Sequence, residues 1–177
     1  MIDRRIKNRV LRLIKGDITD LDVDAFVYNA RTDLQLGSGF GTAISVRGGP
    51  TVQDELKKLA PIGVCDAVIT GAGNLKAKYI IHVVGPRFQE ENTEEKLKRA
   101  VLNVLKLADE KGIESVAFPP LSTGFYGVPL TTCADILLET IKEYLNGDTK
   151  LKEVIVCLLD NREFAPFKAK LEKLSLS

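Results

Sequence analysis

The second half of this 177-residue chain alternates continuously apolar runs with amphipathic helical patterns, and this alternation restricts the fold more than any other feature. Strands predicted at Ser115–Phe118 and Val154–Leu159 are apolar at nearly every position, which is typical of strands covered on both faces. The helical patterns around them run over Asn92–Lys111, Thr132–Leu145 and Phe164–Leu174. This order predicts the α/β class, with a mostly parallel sheet and helices on both sides.

The first half supplies the remaining strands of the expected sheet. Thr51–Leu59 is a short helical pattern, and no repeat, linker or low-complexity tract divides the chain, so we expect one domain over residues 1–177. The turn-like Gly71–Asn74 predicts a hairpin-like connection between the last two strands of this half. Four more apolar runs bring the expected total to about six strands: Val10–Lys15, Asp24–Ala30, Ala67–Thr70 and Tyr79–Val84.

The composition argues against several classes of function. The net charge is +1, so the chain lacks the global basic field that drives nucleic-acid binding. Its three cysteines are far apart and lack CxxC spacing, which indicates neither a disulfide framework nor a zinc site. The single histidine, His82, lies between apolar neighbours and is predicted to be a hydrogen-bonded core residue, so we expect no metal, no cofactor and no Ser-His-Asp set. The charged N-terminus and the lack of an 18-residue apolar stretch predict a cytoplasmic protein without a membrane partner.

A glycine-rich stretch follows the second predicted strand and directly precedes a short helical pattern. Its residues are Gly37, Ser38, Gly39, Phe40 and Gly41. Glycine adopts positive φ and lets another group approach the backbone closely. The helix start adds free N–H groups and the positive end of a dipole. The stretch therefore predicts a cradle for an anion, for which phosphate is the best candidate.

The loop after Ser115–Phe118 repeats this design, with hydroxyls and glycines before a helix start. Ligands of such sheets bind beyond the carboxyl ends of the strands, so the two loops could hold two phosphates or both sides of a diphosphate. Its aromatic residues either cover a sugar or a base or have a structural role. The loop contains Ser122, Thr123, Gly124, Phe125, Tyr126 and Gly127.

Other loops at the same edge carry single residues with binding chemistry. Asp17 is suited to accept from an amino group or a ribose, or else caps a turn. Asn29 can both donate and accept, and Arg31 suits a phosphate or carboxylate unless it is simply solvated. After the last strand come Asp160 and Phe164, and the ring of Phe164 either stacks on a base or packs at a helix start.

Four sequence blocks, in this order, resemble the macro domain family. They are Gly16–Thr19, Gly37–Ile44, Tyr79–Pro86 and Ala117–Gly127, and the resemblance spans roughly residues 9 to 172. It implies a three-layer α/β/α sandwich that binds ADP-ribose or an ADP-ribosylated protein. The oligomeric state stays open.

The resemblance also implies roles for the loop residues. Asp17 would accept from the adenine amino group beside the backbone of Ile18, and the two glycine loops would hold the diphosphate. Phe125 would pack near the distal ribose. The loop after the last strand would line the adenine, with Phe164 as a candidate for stacking.

The chain departs from the family pattern where catalysis is expected. Hydrolytic members typically carry Asn-Ala-Ala-Asn after the second strand, whereas Tyr28 to Arg31 reads Tyr-Asn-Ala-Arg here. A match shifted by one residue places Asn29 on the first asparagine and Thr32 on the second, and in both alignments the second asparagine is missing. Gly41 stands where members that cleave ADP-ribose esters often have an acidic residue, and Ser38 where glycine is common. These differences favour a binding module. Two alternatives stay open: an ADP-ribosyl hydrolase in which Arg31 or Asp33 contributes polarisation, and a divergent binder of another nucleotide or an RNA end.

Overall fold

A mixed sheet of seven strands, in the order β1-β2-β7-β6-β3-β5-β4, organises the computed structural model, which describes residues 2–37 and 39–174. The five strands from β2 to β5 in this order are parallel, and the edge strands β1 and β4 are antiparallel to their neighbours. The strands are β1 Ile2–Ile6, β2 Arg9–Lys15, β3 Ala25–Asn29, β4 Ala67–Gly71, β5 Tyr79–Val83, β6 Ser115–Phe118 and β7 Glu153–Leu158.

Helices cover both faces of this sheet. Five α-helices occur in the described part of the chain: α1 Phe40–Gly48, α2 Thr51–Leu59, α3 Thr93–Glu110, α4 Leu130–Leu145 and α5 Asn161–Lys173. Single 3₁₀ turns at Ile18–Asp20 and Gly124–Tyr126 complete the local structure. None of the helices in the described ranges combines the length and apolarity needed to cross a membrane.

The central strands bury side chains in two separate cores because successive residues of a strand point to opposite faces. In β3, Ala25 and Val27 enter the core formed with α3, α4 and α5, whereas Phe26 and Tyr28 enter the core formed with α1 and α2. This alternation explains the continuously apolar strands and confirms the three-layer α/β/α sandwich.

The seventh strand, β1, is the element that the sequence did not predict. Its sequence Ile-Asp-Arg-Arg-Ile is mostly charged, and of its side chains only that of Ile6 is buried. It pairs with β2 alone, at the edge of the sheet, where solvated charged side chains are tolerated and discourage pairing with other chains. The expectation of about six strands was therefore short by one.

Two helices begin earlier than predicted. α4 begins at Leu130 instead of Thr132, after Pro129, and no side chain caps it. α5 begins at Asn161 instead of Phe164, because the Asp160 carboxylate accepts a hydrogen bond from the Glu163 N–H at 3.0 Å and caps the helix.

His82 is confirmed as a hydrogen-bonded core residue. It is fully buried in β5, and its Nε2 lies 2.9 Å from the Thr70 hydroxyl on the neighbouring strand β4. Burial lowers the pKa of His82 to about 3, so the ring is neutral in the folded protein.

Candidate ligand-binding cleft

The strand order places the loops that the sequence singled out along one edge of the sheet. Asp17 follows β2, Asp160 follows β7, Ser122–Gly127 follows β6, and both Arg31 and Gly37–Gly41 follow β3. Neighbouring strands lie about 4.8 Å apart, so the carboxyl ends of β2 and β5, four spacings apart, define an edge of roughly 19 Å. We call the surface between the loops along this edge the cleft.

The first cradle is the loop from Gly37 to Gly41 at the start of α1. Gly37 and Gly39 have φ values of 62° and 64°, in the left-handed region that glycine adopts without strain. Within residues 2–37 and 39–174, no side chain caps α1 and no acidic residue lies in its first turn, which favours anion binding at the first N–H groups of the helix. Ser38 lies outside the described residues.

The second cradle is the loop from Ser122 to Gly127. Ser122, Gly124 and Gly127 all have positive φ, and no side chain caps the 3₁₀ turn that begins at Gly124. A Cβ atom added to Gly124 would meet nothing within 4 Å, so this backbone is open to the cleft. Phe125 is fully exposed beside it. Backbone amides in such turns form anion-binding concavities.

The second cradle is joined to the strand that leads into the first. Tyr126 donates a hydrogen bond from its hydroxyl to the carbonyl of Ala30, at 3.3 Å, and so connects the second cradle to the end of β3. Since β6 and β3 are neighbours in the sheet, the two loops start from adjacent strand ends. This arrangement suits two adjacent anionic groups.

Asp17 lies at the β2 end of the cleft and has two roles at once. Its Oδ1 accepts hydrogen bonds from the N–H and the hydroxyl of Thr19, at 2.9 and 2.6 Å. Asp17 therefore caps the turn, which was one of the two roles predicted for it. Its Oδ2 lies 3.2 Å from a guanidinium nitrogen of Arg47, a helix α1 residue that also pairs with Asp20. The Thr19 hydroxyl, with help from the Thr19 N–H and Arg47, lowers the pKa of Asp17. Half of the Asp17 side chain is exposed and its carboxyl is ionised, next in the chain to the buried Ile18.

The segment after β7 contains two apolar residues, Phe164 and Leu159, that differ in exposure. Phe164 packs partly buried against the core below α5, and the Lys15 amine lies 5.5 Å from its ring centre. The carboxylate of Asp160 is engaged in capping α5. Leu159, by contrast, is 73% exposed and stands next to the end of β2. It was predicted to end the strand, but the pairing of β7 stops at Leu158.

Two departures from the family pattern, Tyr28 and Gly41, form one structural unit. The Tyr28 hydroxyl donates a buried hydrogen bond to the carbonyl of Leu36, at 2.9 Å. A Cβ atom added to Gly41 would lie 1.5 Å from that carbonyl oxygen and 2.7 Å from the hydroxyl. The space that a side chain at position 41 would need is therefore filled, which excludes a carboxylate there in this backbone conformation.

Arg31 extends along the surface. Its guanidinium pairs with Asp33 at 2.6 Å, and more than half of its side chain is exposed. A hydrogen bond from the Gln35 N–H, which is the largest cause, and the pairing with Arg31 both lower the pKa of Asp33. These two partners engage both oxygens of the Asp33 carboxylate. A carboxylate held in this way is a weak base, so neither residue is prepared to activate water.

Asn29, the last residue of β3, and Ser122, the first residue of the second cradle, bury polar atoms against the same glycine. The Asn29 Oδ1 and the Ser122 hydroxyl are buried and have no hydrogen-bond partner within residues 2–37 and 39–174. Both pack against Gly85, where an added Cβ would lie 2.6 and 2.3 Å from them. Buried polar atoms without partners are rare and mark places where a ligand or an ordered water is expected.

A cavity of about 350 Å³ lies at the β5 end of the cleft. Sequence reasoning did not find it, because its walls come from four separate segments of the chain. Charged and aromatic residues line it, among them Arg31, Asp33, Arg87, Glu90 and Tyr126. Among the described residues, no group of three or more His, Cys, Asp or Glu side chains could hold a metal ion.

Comparisons with known proteins agree with this architecture. The sequence model of the Macro domain family matches residues 27–137. A macro domain-containing protein of Caldanaerobacter subterraneus is 42% identical over 172 residues, which cover 93% of this chain and 97% of the relative. A Pantoea vagans protein named O-acetyl-ADP-ribose deacetylase 1 is 42% identical over 83% of this chain and 90% of its own.

Among solved structures, a mutant of the Oceanobacillus iheyensis macrodomain with ADP-ribose superimposes with a TM-score of 0.92 at 29% identity. The match covers 97% of both chains. The seven-stranded sheet between two helical layers thus agrees with matches in sequence and in structure over nearly the whole chain, and we conclude that this protein belongs to the macro domain family.

Proposed function

We propose that this protein binds ADP-ribose, free or attached to a protein, along the cleft. The observation that carries the proposal is the pair of uncapped backbone cradles on the neighbouring strands β6 and β3. In the described part of the chain, no side chain caps the helical turn of either cradle, and each cradle has glycines at positive φ. Two anion sites side by side match the two phosphates of a diphosphate.

The two ends of the cleft fit the two ends of the ligand. At the β2 end, the ionised Asp17 accepts from the adenine amino group, and the exposed Leu159 offers an apolar surface for the base. Beyond the diphosphate, the exposed Phe125 of the loop after β6 covers the distal ribose. The sheet edge of roughly 19 Å provides room for the extended ligand.

Binding without efficient hydrolysis is the form of the function that the geometry favours. Position 41 has no room for a carboxylate, and Asp33 is a weak base with both oxygens engaged. A second candidate, hydrolysis of O-acetyl-ADP-ribose, is supported by the name of the Pantoea vagans relative. Measuring acetate release from O-acetyl-ADP-ribose under conditions of demonstrated binding separates the two: release well above the rate without protein establishes the second.

Titration calorimetry with ADP-ribose tests the proposal, and three glycines supply matched variants. Gly39, Gly124 and Gly112 all have positive φ, and an added Cβ meets nothing within 4 Å at any of them. Gly39 and Gly124 lie in the cradles, whereas Gly112 follows α3, outside them. Valine should therefore produce similar backbone strain at each position but block phosphate only at the first two.

We expect Gly39→Val and Gly124→Val to weaken ADP-ribose binding at least tenfold, and Gly112→Val to retain the wild-type affinity. Thermal unfolding of the three variants checks that their stability losses are comparable. Absence of heat with the wild-type protein at high micromolar ADP-ribose would contradict the proposed function. Equal affinities of Gly124→Val and Gly112→Val would contradict the position of the second cradle.

A further inference from the structure

The cavity at the β5 end of the cleft contains a cationic side chain that belongs to neither cradle. It lies beyond them, where the distal ribose of a ligand bound in the proposed way would end. Gly85 and Tyr126 form its boundary with the second cradle, and Val64, 39% exposed, contributes an apolar edge. A group that enters this cavity is therefore attached beyond the distal ribose.

The two carboxylates of the cavity are already compensated. Glu90 accepts from the Arg87 backbone N–H at 3.2 Å and pairs with the Lys96 amine at 3.1 Å. Asp33 pairs with Arg31 at 2.6 Å. Neither carboxylate is left to balance a further cation.

The guanidinium of Arg87 is the cation that remains. It lies 4.8 Å from the centre of the Tyr126 ring, and no carboxylate of residues 2–37 or 39–174 lies within ion-pair distance of it. Stacking on an aromatic ring occupies one face of a guanidinium and leaves its N–H edge free. That edge fits a carboxylate with two parallel hydrogen bonds.

We infer that this cavity recognises the carboxylate of an acidic residue next to the modified side chain on an ADP-ribosylated protein, with Arg87 as the specificity-determining residue. The inference rests on the proposed function, because the distal ribose must end at the cavity. The ligand itself supplies no group beyond that ribose, whereas a carrier protein does. A single uncompensated cation selects an acidic neighbour over a neutral one.

Two synthetic peptides test the inference, each ADP-ribosylated at one side chain and carrying either Glu or Gln as the next residue. The wild-type protein should bind the Glu peptide about fivefold more tightly at low salt, as expected for one partly exposed ion pair. The preference should shrink as salt is added, because salt screens exposed charges. Fluorescence anisotropy of labelled peptides measures both affinities.

Three variants test whether Arg87 causes the preference for the Glu peptide. Arg87→Gln should bind both peptides equally, and Arg87→Lys should recover part of the preference because it restores the charge. Arg5→Gln, an exposed arginine on the far edge strand β1, is the matched control and should behave as wild type.

Equal affinities of the wild-type protein for the two peptides would overturn the inference, as would a preference that survives in Arg87→Gln. Measuring the binding of free ADP-ribose distinguishes a failure of this inference from a failure of the proposed function. If free ADP-ribose binds and the peptides do not differ, only the inference about the cavity is wrong. If free ADP-ribose does not bind, both proposals are wrong.

Discussion

Position 41 offers the sharpest test of how the first cradle is built. Gly41 is the second residue of α1 and is buried, and its backbone packs against the carbonyl of Leu36. A methyl group there would lie 1.5 Å from the carbonyl oxygen, whereas ordinary contacts begin near 3.4 Å. The oxygen would have to move by about 1.9 Å, which breaks its hydrogen bond with Tyr28.

Three effects set the size of the loss in Gly41→Ala. Overpacking of a well-packed site costs about 1–3 kcal/mol, and loss of the buried Tyr28–Leu36 hydrogen bond costs about 1 kcal/mol more. Alanine regains up to about 1 kcal/mol through its helix propensity. We therefore expect a net loss of roughly 1–3 kcal/mol, or about 3–10 °C in Tm for a chain of this size. Gly41→Asp should lose more, because it also places a charge in the buried site.

Thermal unfolding measures these losses, and Gly147→Ala is the control. A Cβ atom at Gly147 lies at an ordinary 3.5 Å from the nearest carbonyl, so its Tm should stay close to that of the wild type. Combining Tyr28→Phe with Gly41→Ala should cost less than the two single changes together, because each breaks the same hydrogen bond. A Gly41→Asp protein with wild-type Tm and new hydrolysis of O-acetyl-ADP-ribose would refute the reasoning.

Three further predictions follow from the cleft and the core. Asp17→Ala should weaken ADP-ribose binding about tenfold and leave ribose 5-phosphate binding unchanged in calorimetry, because only the adenine contact is lost; equal losses would remove Asp17 from the base site. Leu159→Asp should weaken ADP-ribose binding without lowering Tm, since the residue is 73% exposed and a carboxylate cannot replace its apolar contact with the base; unchanged affinity would show that the base lies elsewhere. The pKa of His82 is about 3 in the folded protein and near 6.5 in the unfolded chain. Between these pH values only the unfolded state gains a proton, so the free energy of unfolding falls as the pH drops below about 6.5. Urea unfolding at pH 7 and 5 should show a loss of about 2 kcal/mol that is absent in His82→Gln, and equal losses in both proteins would show that other groups cause it.

Local sequence patterns predicted most of the strands and helices. Continuously apolar strands and 3.6-residue helical periodicity are properties of neighbouring residues, so the order of strands and helices from Val10 onward and the placement of the loops at one edge followed from them. The charged strand Ile2–Ile6 did not, because an edge strand that buries little has no apolar pattern to detect. Helices α4 and α5 also begin earlier in the chain than predicted, because Pro129 precedes the first turn of α4 and Asp160 caps α5.

The sequence by itself determined the fold class, the family and the positions of two glycine-rich loops, because glycine spacing and the succession of strands and helices are written along the chain. Only the tertiary structure decided how residues far apart in sequence share space. It joined Tyr28, Leu36 and Gly41 into one packed unit that leaves no room for a carboxylate, and it placed Arg87 on Tyr126 beside two compensated acids. The physical reason is that sterics and charge pairing depend on distances between side chains, and these arise only when the strands have paired.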